Sequence, residues 1–193
     1  MGRLVPEAVT SLNIEPPADV VVQSGPLPYA ARSWDTVTSC DVLEHVPPDA
    51  RAAHLAELVR VAQRRVVLCF PAGTPEKDAA ERRLAELLDQ EYGVRFDFLD
   101  EHLSYGLPRP AEVVATLGRA DARASVTVRY TEGIEESDAV LVDAVRTRWR
   151  RDPRAAARFL RAWVLRPTPE LRSDLRPASS RAYVVVDVSG AAR

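Results

Sequence analysis

The chain is poor in the residues that staple or span. Two cysteines in 193 residues, Cys40 and Cys69, cannot supply the dense cross-linking on which small secreted folds depend. Each ends an apolar, strand-like run where a small buried thiol is common, so a structural disulfide is not expected. No hydrophobic run approaches the roughly 18 residues of a membrane span. Met1 to Pro6 holds no signal-peptide core, and the expectation is a cytoplasmic protein with no membrane partner. Lysine is almost missing: Lys77 stands alone, and arginine supplies the other 25 of 26 basic residues. Against 28 acidic residues these leave a net charge of −2, and aromatics make up only 6%, which argues against a nucleic-acid partner. What is present is ordinary, 46% apolar and 28% charged residues. A chain of this length buries roughly 70% of its unfolded surface around one core, so a single domain over 1–193 is expected.

The period of the apolar residues alternates between strand-like runs and helical spacing, which predicts an α/β architecture. Strands are expected at Val9–Ile14, Asp19–Val22, Trp34–Cys40, Arg65–Phe70, Ala124–Tyr130 and Ala182–Val188. The continuous apolar run at Arg65–Phe70 predicts a strand buried on both faces. Helices are expected from Pro47-Pro48-Asp49 to Ala62, over Glu76–Tyr92 up to Gly93, over Pro110–Leu117, over Glu136–Trp149 and over Pro153–Leu165. Asp97–Pro108 reads as irregular and aromatic-rich. There is no internal repeat.

In an open parallel sheet, ligands bind at the carboxyl ends of the strands, where loops converge and helix N-termini offer free N–H groups. Those ends carry Asn13-Ile14-Glu15, Gln23-Ser24-Gly25, Cys40 to His45 and Pro71-Ala72-Gly73. Asn13 and Glu15 are candidates to hold ribose hydroxyls, or else form a polar turn before two prolines.

Three stretches together carry a resemblance: Leu27-Pro28-Tyr29-Ala30, Ser33-Trp34-Asp35-Thr36-Val37, and Asp41-Val42-Leu43-Glu44-His45-Val46-Pro47. In this order and spacing they resemble class I S-adenosylmethionine-dependent methyltransferases of the type 11 group. Arg64 to Leu68 with Phe70-Pro71 is similar to that family's fifth strand, and Glu101 to Pro108 to a subgroup's loop. The resemblance implies a Rossmann-like sheet of order 3-2-1-4-5-7-6, mostly parallel with the last strand antiparallel. It implies S-adenosylmethionine as cofactor and methyl transfer to a small-molecule acceptor. By position, Asn13 stands where an acidic residue holds the ribose, and Gln23 and Ser24 near the adenine-recognising residue. Cys40 backs the methionine portion, and Asp41 and Leu43 lie in the same cofactor loop.

Three departures bear on cofactor binding. Asparagine for a carboxylate forfeits a charge-assisted hydrogen bond unless Glu15 takes over. Glutamine for aspartate is softer, since its amide oxygen still accepts. The family's first strand and glycine-rich loop ought to precede Val9 by twenty or more residues, and the stretch before Val9 does not supply them. The sheet is therefore expected to lack its first strand, and the chain to be a truncated form of a longer enzyme that binds S-adenosylmethionine weakly or not at all. The alternative is a non-catalytic methyltransferase-like module that binds a partner protein. Without a central strand, those ending at Ile14 and Cys40 either stand apart with open edges or pair directly. A homodimer or partner chain would cover the incomplete sheet, and a strand supplied by Met1 to Pro6 would refute the alignment.

Other constellations are weighed against plainer readings. Asp41, Glu44 and His45 have i, i+3, i+4 spacing suited to a divalent ion, but packing or local capping by His45 is preferred and no metal is assigned. His102, beside Glu101 and Tyr105, is the candidate general base on the acceptor. His54 reads as structural. Arg146, Arg148, Arg150, Arg151, Arg154, Arg158 and Arg161 read as a solvated face, or as paired with Glu132, Glu135, Glu136 and Asp138. Trp149, Phe159 and Trp163 read as core or as the wall of an acceptor pocket. The helices at 135–166 form an insertion before the last strand.

Overall fold

The computed structural model describes residues 9–22, 25–164 and 170–192, and within them every side chain except those at 136, 137, 163, 191 and 192. Its elements run β1 (Leu12–Asn13), β2 (Val20–Val21), β3 (Trp34–Cys40), a 3-10 turn (Leu43–His45), α1 (Arg51–Val61), β4 (Ala62–Pro71), α2 (Pro75–Tyr92), α3 (Asp97–Tyr105), α4 (Pro110–Ala120), β5 (Ser125–Glu132), α5 (Ile134–Arg150), α6 (Pro153–Val164), β6 (Ser179–Asp187) and a closing 3-10 turn (Ser189–Ala192).

The strands form two sheets. β1 and β2 pair in parallel as a two-stranded unit, and the other four stand in the order β3-β4-β6-β5. β3 and β4 are parallel, and β6 runs against both β4 and β5, so three strands share one direction and the last in sequence is reversed. That is the order and sense expected for the last four strands, with α5 and α6 between β5 and β6. Among the described residues the strands ending near Ile14 and Cys40 do not pair directly: β3 stands at the edge of its sheet, and β1–β2 pairs only with itself. The expectation attached to Met1 to Pro6 lies outside those residues.

Even-numbered residues of β4 and β6 make one buried face. Val66, Leu68, Phe70, Ala182, Val184 and Val186 pack against Leu55 and Leu58 of α1 and Val113 and Leu117 of α4. The opposite face is thinner, with Val67, Tyr183 and Val185 only half buried. Cys69 and Pro71 on that face are buried nonetheless, so the run is covered on both faces towards its carboxyl end, as expected, while Arg65 is exposed and Val67 half buried. A second cluster joins Leu84 and Leu88 of α2, Leu99 of α3 and Val145 of α5.

The segment expected to be irregular, Asp97–Pro108, is a correction: α3 fills most of it. Acidic Asp97 and Asp100 in its first turn suit a helix N-terminus. Gly106, at φ 70°, ends it in a conformation that favours glycine. Aromatic density hid the three-residue spacing of Leu99 and His102, the two side chains it buries.

Candidate functional site

At the carboxyl end of β3 the chain turns sharply. Asp41 adopts a left-handed conformation, φ 53°, and its N–H donates to the Cys69 carbonyl at 2.9 Å. The turn sends the Asp41 carboxylate to the Arg181 guanidinium on β6. The 3-10 turn that follows directs Leu43 and Glu44 inward, leaving Glu44 only 1% exposed. Arg51 fixes this turn to α3, its guanidinium donating to the Val46 carbonyl at 3.0 Å and the Gly106 carbonyl at 2.6 Å.

Two histidines meet below. His45 Nδ1 and Glu101 Oε2 lie 2.6 Å apart, and His102 Nδ1 and Glu81 Oε2 lie 3.1 Å apart. An ionised carboxylate only accepts, so each ring donates from Nδ1, and in the neutral form of the ring Nε2 carries the lone pair. The rings are 4.9 Å apart and tilted by 41°. His102 is 7% exposed, and Phe98 stands edge-on to it at 5.8 Å. Lys77, buried on α2, reaches Glu81 at 3.4 Å and Asp138 at 3.7 Å.

Two buried atoms among these have no hydrogen-bond partner, Glu44 Oε2 and His102 Nε2. Leaving such atoms dry costs about 1–3 kcal/mol each. One ligating atom from each of Glu44, His45 and His102 lies within 4.8 Å of the others. Burial pushes the Glu44 carboxyl above its ordinary pKa, Asp41 adds to the rise, and the histidines oppose it. These side chains line a cavity of about 370 Å³ that also takes in Pro71, Asp138, Ser180 and Arg181, at the end of the sheet where β3 and β4 terminate. In and around it the carboxylates of Asp41, Glu44, Glu81, Glu101 and Asp138 face Lys77 and Arg181, with Arg51 acting on Glu44 from outside the lining. A larger hollow of about 640 Å³ between α2, α5 and α6 is open, lies away from the strand ends and holds no histidine. The smaller cavity is the candidate site.

The residues expected from sequence are only partly gathered there. Asp41 and His102 line the cavity. Asn13 does not line it: its Oδ1 accepts from the Ile14 N–H at 2.8 Å, and both Asn13 and Glu15 are exposed on or beside the two-stranded sheet. Gln23 and Ser24 lie outside the described residues. Leu43 belongs to the core, and Cys40 is exposed at the end of β3. Partial burial still raises the Cys40 thiol pKa, with further upward contributions from Cys69 and Asp41. Asp41 does not join Glu44 and His45, because its left-handed turn points it to Arg181, and His102 takes the third place.

Glu81, Arg51 and Arg181 were not singled out from sequence. A signal existed for Glu81: Lys77, Glu81, Leu84 and Leu88 fall on one helical face, so the charged pair shares the apolar stripe. The arginine cluster is largely the solvated face expected, all exposed but the half-buried Arg146, and the partners it finds are not the acids named as the alternative. Arg158 pairs with Asp143, Arg146 donates to the Tyr92 hydroxyl at 2.7 Å and Arg150 to the Glu91 carbonyl at 2.7 Å. Glu132 pairs with Arg172 and Arg176 instead, Asp138 pairs with Lys77, and the Glu136 side chain lies outside the description. Trp149 is 51% exposed, so it is neither core nor pocket wall. Phe159 is half buried, and the Trp163 side chain lies outside the description. His54 is largely buried on α1, which lowers its pKa.

No family model matches the chain, and no curated protein is similar to it at a significant level. Among solved structures, the crystal structure of a protein from Bacillus halodurans C-125, described as a "putative methyltransferase", is 15% identical. The match covers 94% of this chain and 80% of that one, with a TM-score of 0.40. A likeness at that level transfers no activity.

Proposed function

We propose that this chain is a methyltransferase-type protein, using S-adenosylmethionine as donor and a small molecule as acceptor. The observation that carries the reading is the β3-β4-β6-β5 sheet with β6 alone reversed, beside a separate parallel β1–β2 pair. That is the seven-strand order implied by the sequence resemblance with one strand between the two groups unaccounted for. The cavity at the ends of β3 and β4 supports the reading further, because ligands in such sheets bind at the carboxyl ends of parallel strands. The acceptor is assigned to this cavity, with His102 on its polar group; methyl transfer itself needs chiefly proximity and alignment.

The described residues do not close around the donor. Asn13 spends its carbonyl oxygen on its own turn, Asp41 is paired with Arg181, and none of Asn13, Glu15 and Cys40 lines the cavity. No step of the transfer is therefore assigned to them. The same observation favours a second reading, a module that has the fold and binds a partner protein instead of the donor. Calorimetry on the purified chain separates the two. Saturable binding of S-adenosylmethionine weaker than about 1 μM, about −8 kcal/mol, supports the first. No binding at about 1 mM, about −4 kcal/mol, supports the second. Submicromolar affinity contradicts the incomplete cradle.

A further inference from the structure

We infer that Glu44, His45 and His102 form a binding site for one divalent transition-metal ion of the zinc type. The inference stands on the cavity and not on the methyl-transfer reading, and it holds whichever reading of the fold is right.

The donor set is one carboxylate oxygen and two imidazole nitrogens, whose ligating atoms lie within 4.8 Å of one another. Ligands about 2.0–2.1 Å from a tetrahedral ion stand about 3.4 Å apart. Closing the remaining distance is a small side-chain adjustment. Two of these residues also hold a free donor: Glu44 Oε2 and His102 Nε2 are buried and unpartnered, on side chains more than nine-tenths buried.

The surroundings fit the same occupant. A metal-bound histidine donates its other ring nitrogen to a carboxylate, which fixes the tautomer and raises the basicity of the ligating nitrogen. Both histidines do so here, His45 to Glu101 and His102 to Glu81, and Lys77 in turn holds Glu81. Charge points the same way. Arg181 answers Asp41, Lys77 is shared between Glu81 and Asp138, and Arg51 acts on Glu44 without forming an ion pair with it, so among the described residues no lysine or arginine pairs directly with Glu44 or Glu101. Imidazole nitrogen with a single carboxylate favours zinc, iron or nickel over magnesium or calcium, which take oxygen ligands. Three protein ligands leave a position open to the cavity for water or a polar group of a small molecule.

The test uses the full chain, stripped with a chelator and titrated with Co²⁺ as spectroscopic probe in the absence of any methyl donor. One equivalent of Co²⁺ is expected to give visible d–d absorption that one equivalent of Zn²⁺ displaces and Mg²⁺ does not. Glu44→Gln and His45→Ala are expected to abolish the band; His45 is half exposed, so its variant keeps the fold, as circular dichroism will verify. Glu81→Gln is expected to weaken Co²⁺ affinity by about 10–100-fold without abolishing it. Asp41→Asn, which removes a charge acting on Glu44 but no proposed ligand, is expected to keep the band, which separates this set from the one containing Asp41. Absence of stoichiometric Co²⁺ binding in the wild-type chain, or an undiminished band in both Glu44→Gln and His45→Ala, overturns the proposal.

Discussion

Single side chains carry two predictions. Thr74 caps α2, its hydroxyl accepting from the Lys77 N–H at 3.1 Å, and it is buried. Thr74→Ala removes that acceptor in a place water reaches poorly and is expected to cost about 1–2 kcal/mol of stability, read by urea denaturation. Because α2 also carries Lys77 and Glu81, the loss loosens the support of His102. Cys40 is the second case. Its raised thiol pKa leaves less thiolate at a given pH than an ordinary cysteine has, since the thiolate is the reactive form. At pH 8 the exposed Cys40 is expected to alkylate more slowly than a cysteine in an unstructured peptide, the gap narrowing as pH rises. Equal rates at pH 8 would contradict the partial burial. At this scale the sequence is a partial guide: His102 and Asp41 stand out by residue type and position, whereas the one sign of Glu81 is its place with Lys77 on the apolar stripe of α2.

Elements were easier to read than residues. Trp34–Cys40 and the helix ending at Gly93 were legible because alternation and helical stop signals are local properties. The first two strands came out shorter than expected. Val9 and Ile14 are exposed and the Ile14 N–H is taken by the Asn13 side chain, so neither end of Val9–Ile14 is held in a longer β1. α3 was missed because its helical spacing covers only nine residues, two of them buried. Gly73 joins the elements around the site. A Cβ there would come within 2.7 Å of the carbonyl oxygens of Leu107 and Pro108, which are backbone and cannot swing aside. The Gly73 N–H also donates to the Pro108 carbonyl at 3.0 Å. Gly73→Ala is expected to push the linker between α3 and α4 off the end of β4. A cost of about 1–3 kcal/mol, typical of overpacking, is expected in thermal or urea unfolding. An unchanged stability would show that this contact is slack.

For the whole molecule, the open edge of β3 has the largest consequence. Nothing among the described residues pairs with its outer side, and an unpaired strand edge is a template for association. The half-buried face bearing Val67 and Val185 adds apolar surface beside it. Self-association that rises with concentration is expected in sedimentation, and Thr38→Lys, which places a charge on an exposed position of β3, is expected to reduce it. A monomer at all concentrations would mean that the edge is covered. The larger claim is that ligands meet this molecule at the carboxyl ends of β3 and β4, with S-adenosylmethionine as the donor. Hydrogen exchange with and without about 1 mM S-adenosylmethionine, the range of weak binding, tests it most directly. The account predicts slowed exchange confined to Cys40–His45 and Pro71–Gly73. Protection confined to the hollow between α2, α5 and α6, or none anywhere, would contradict it.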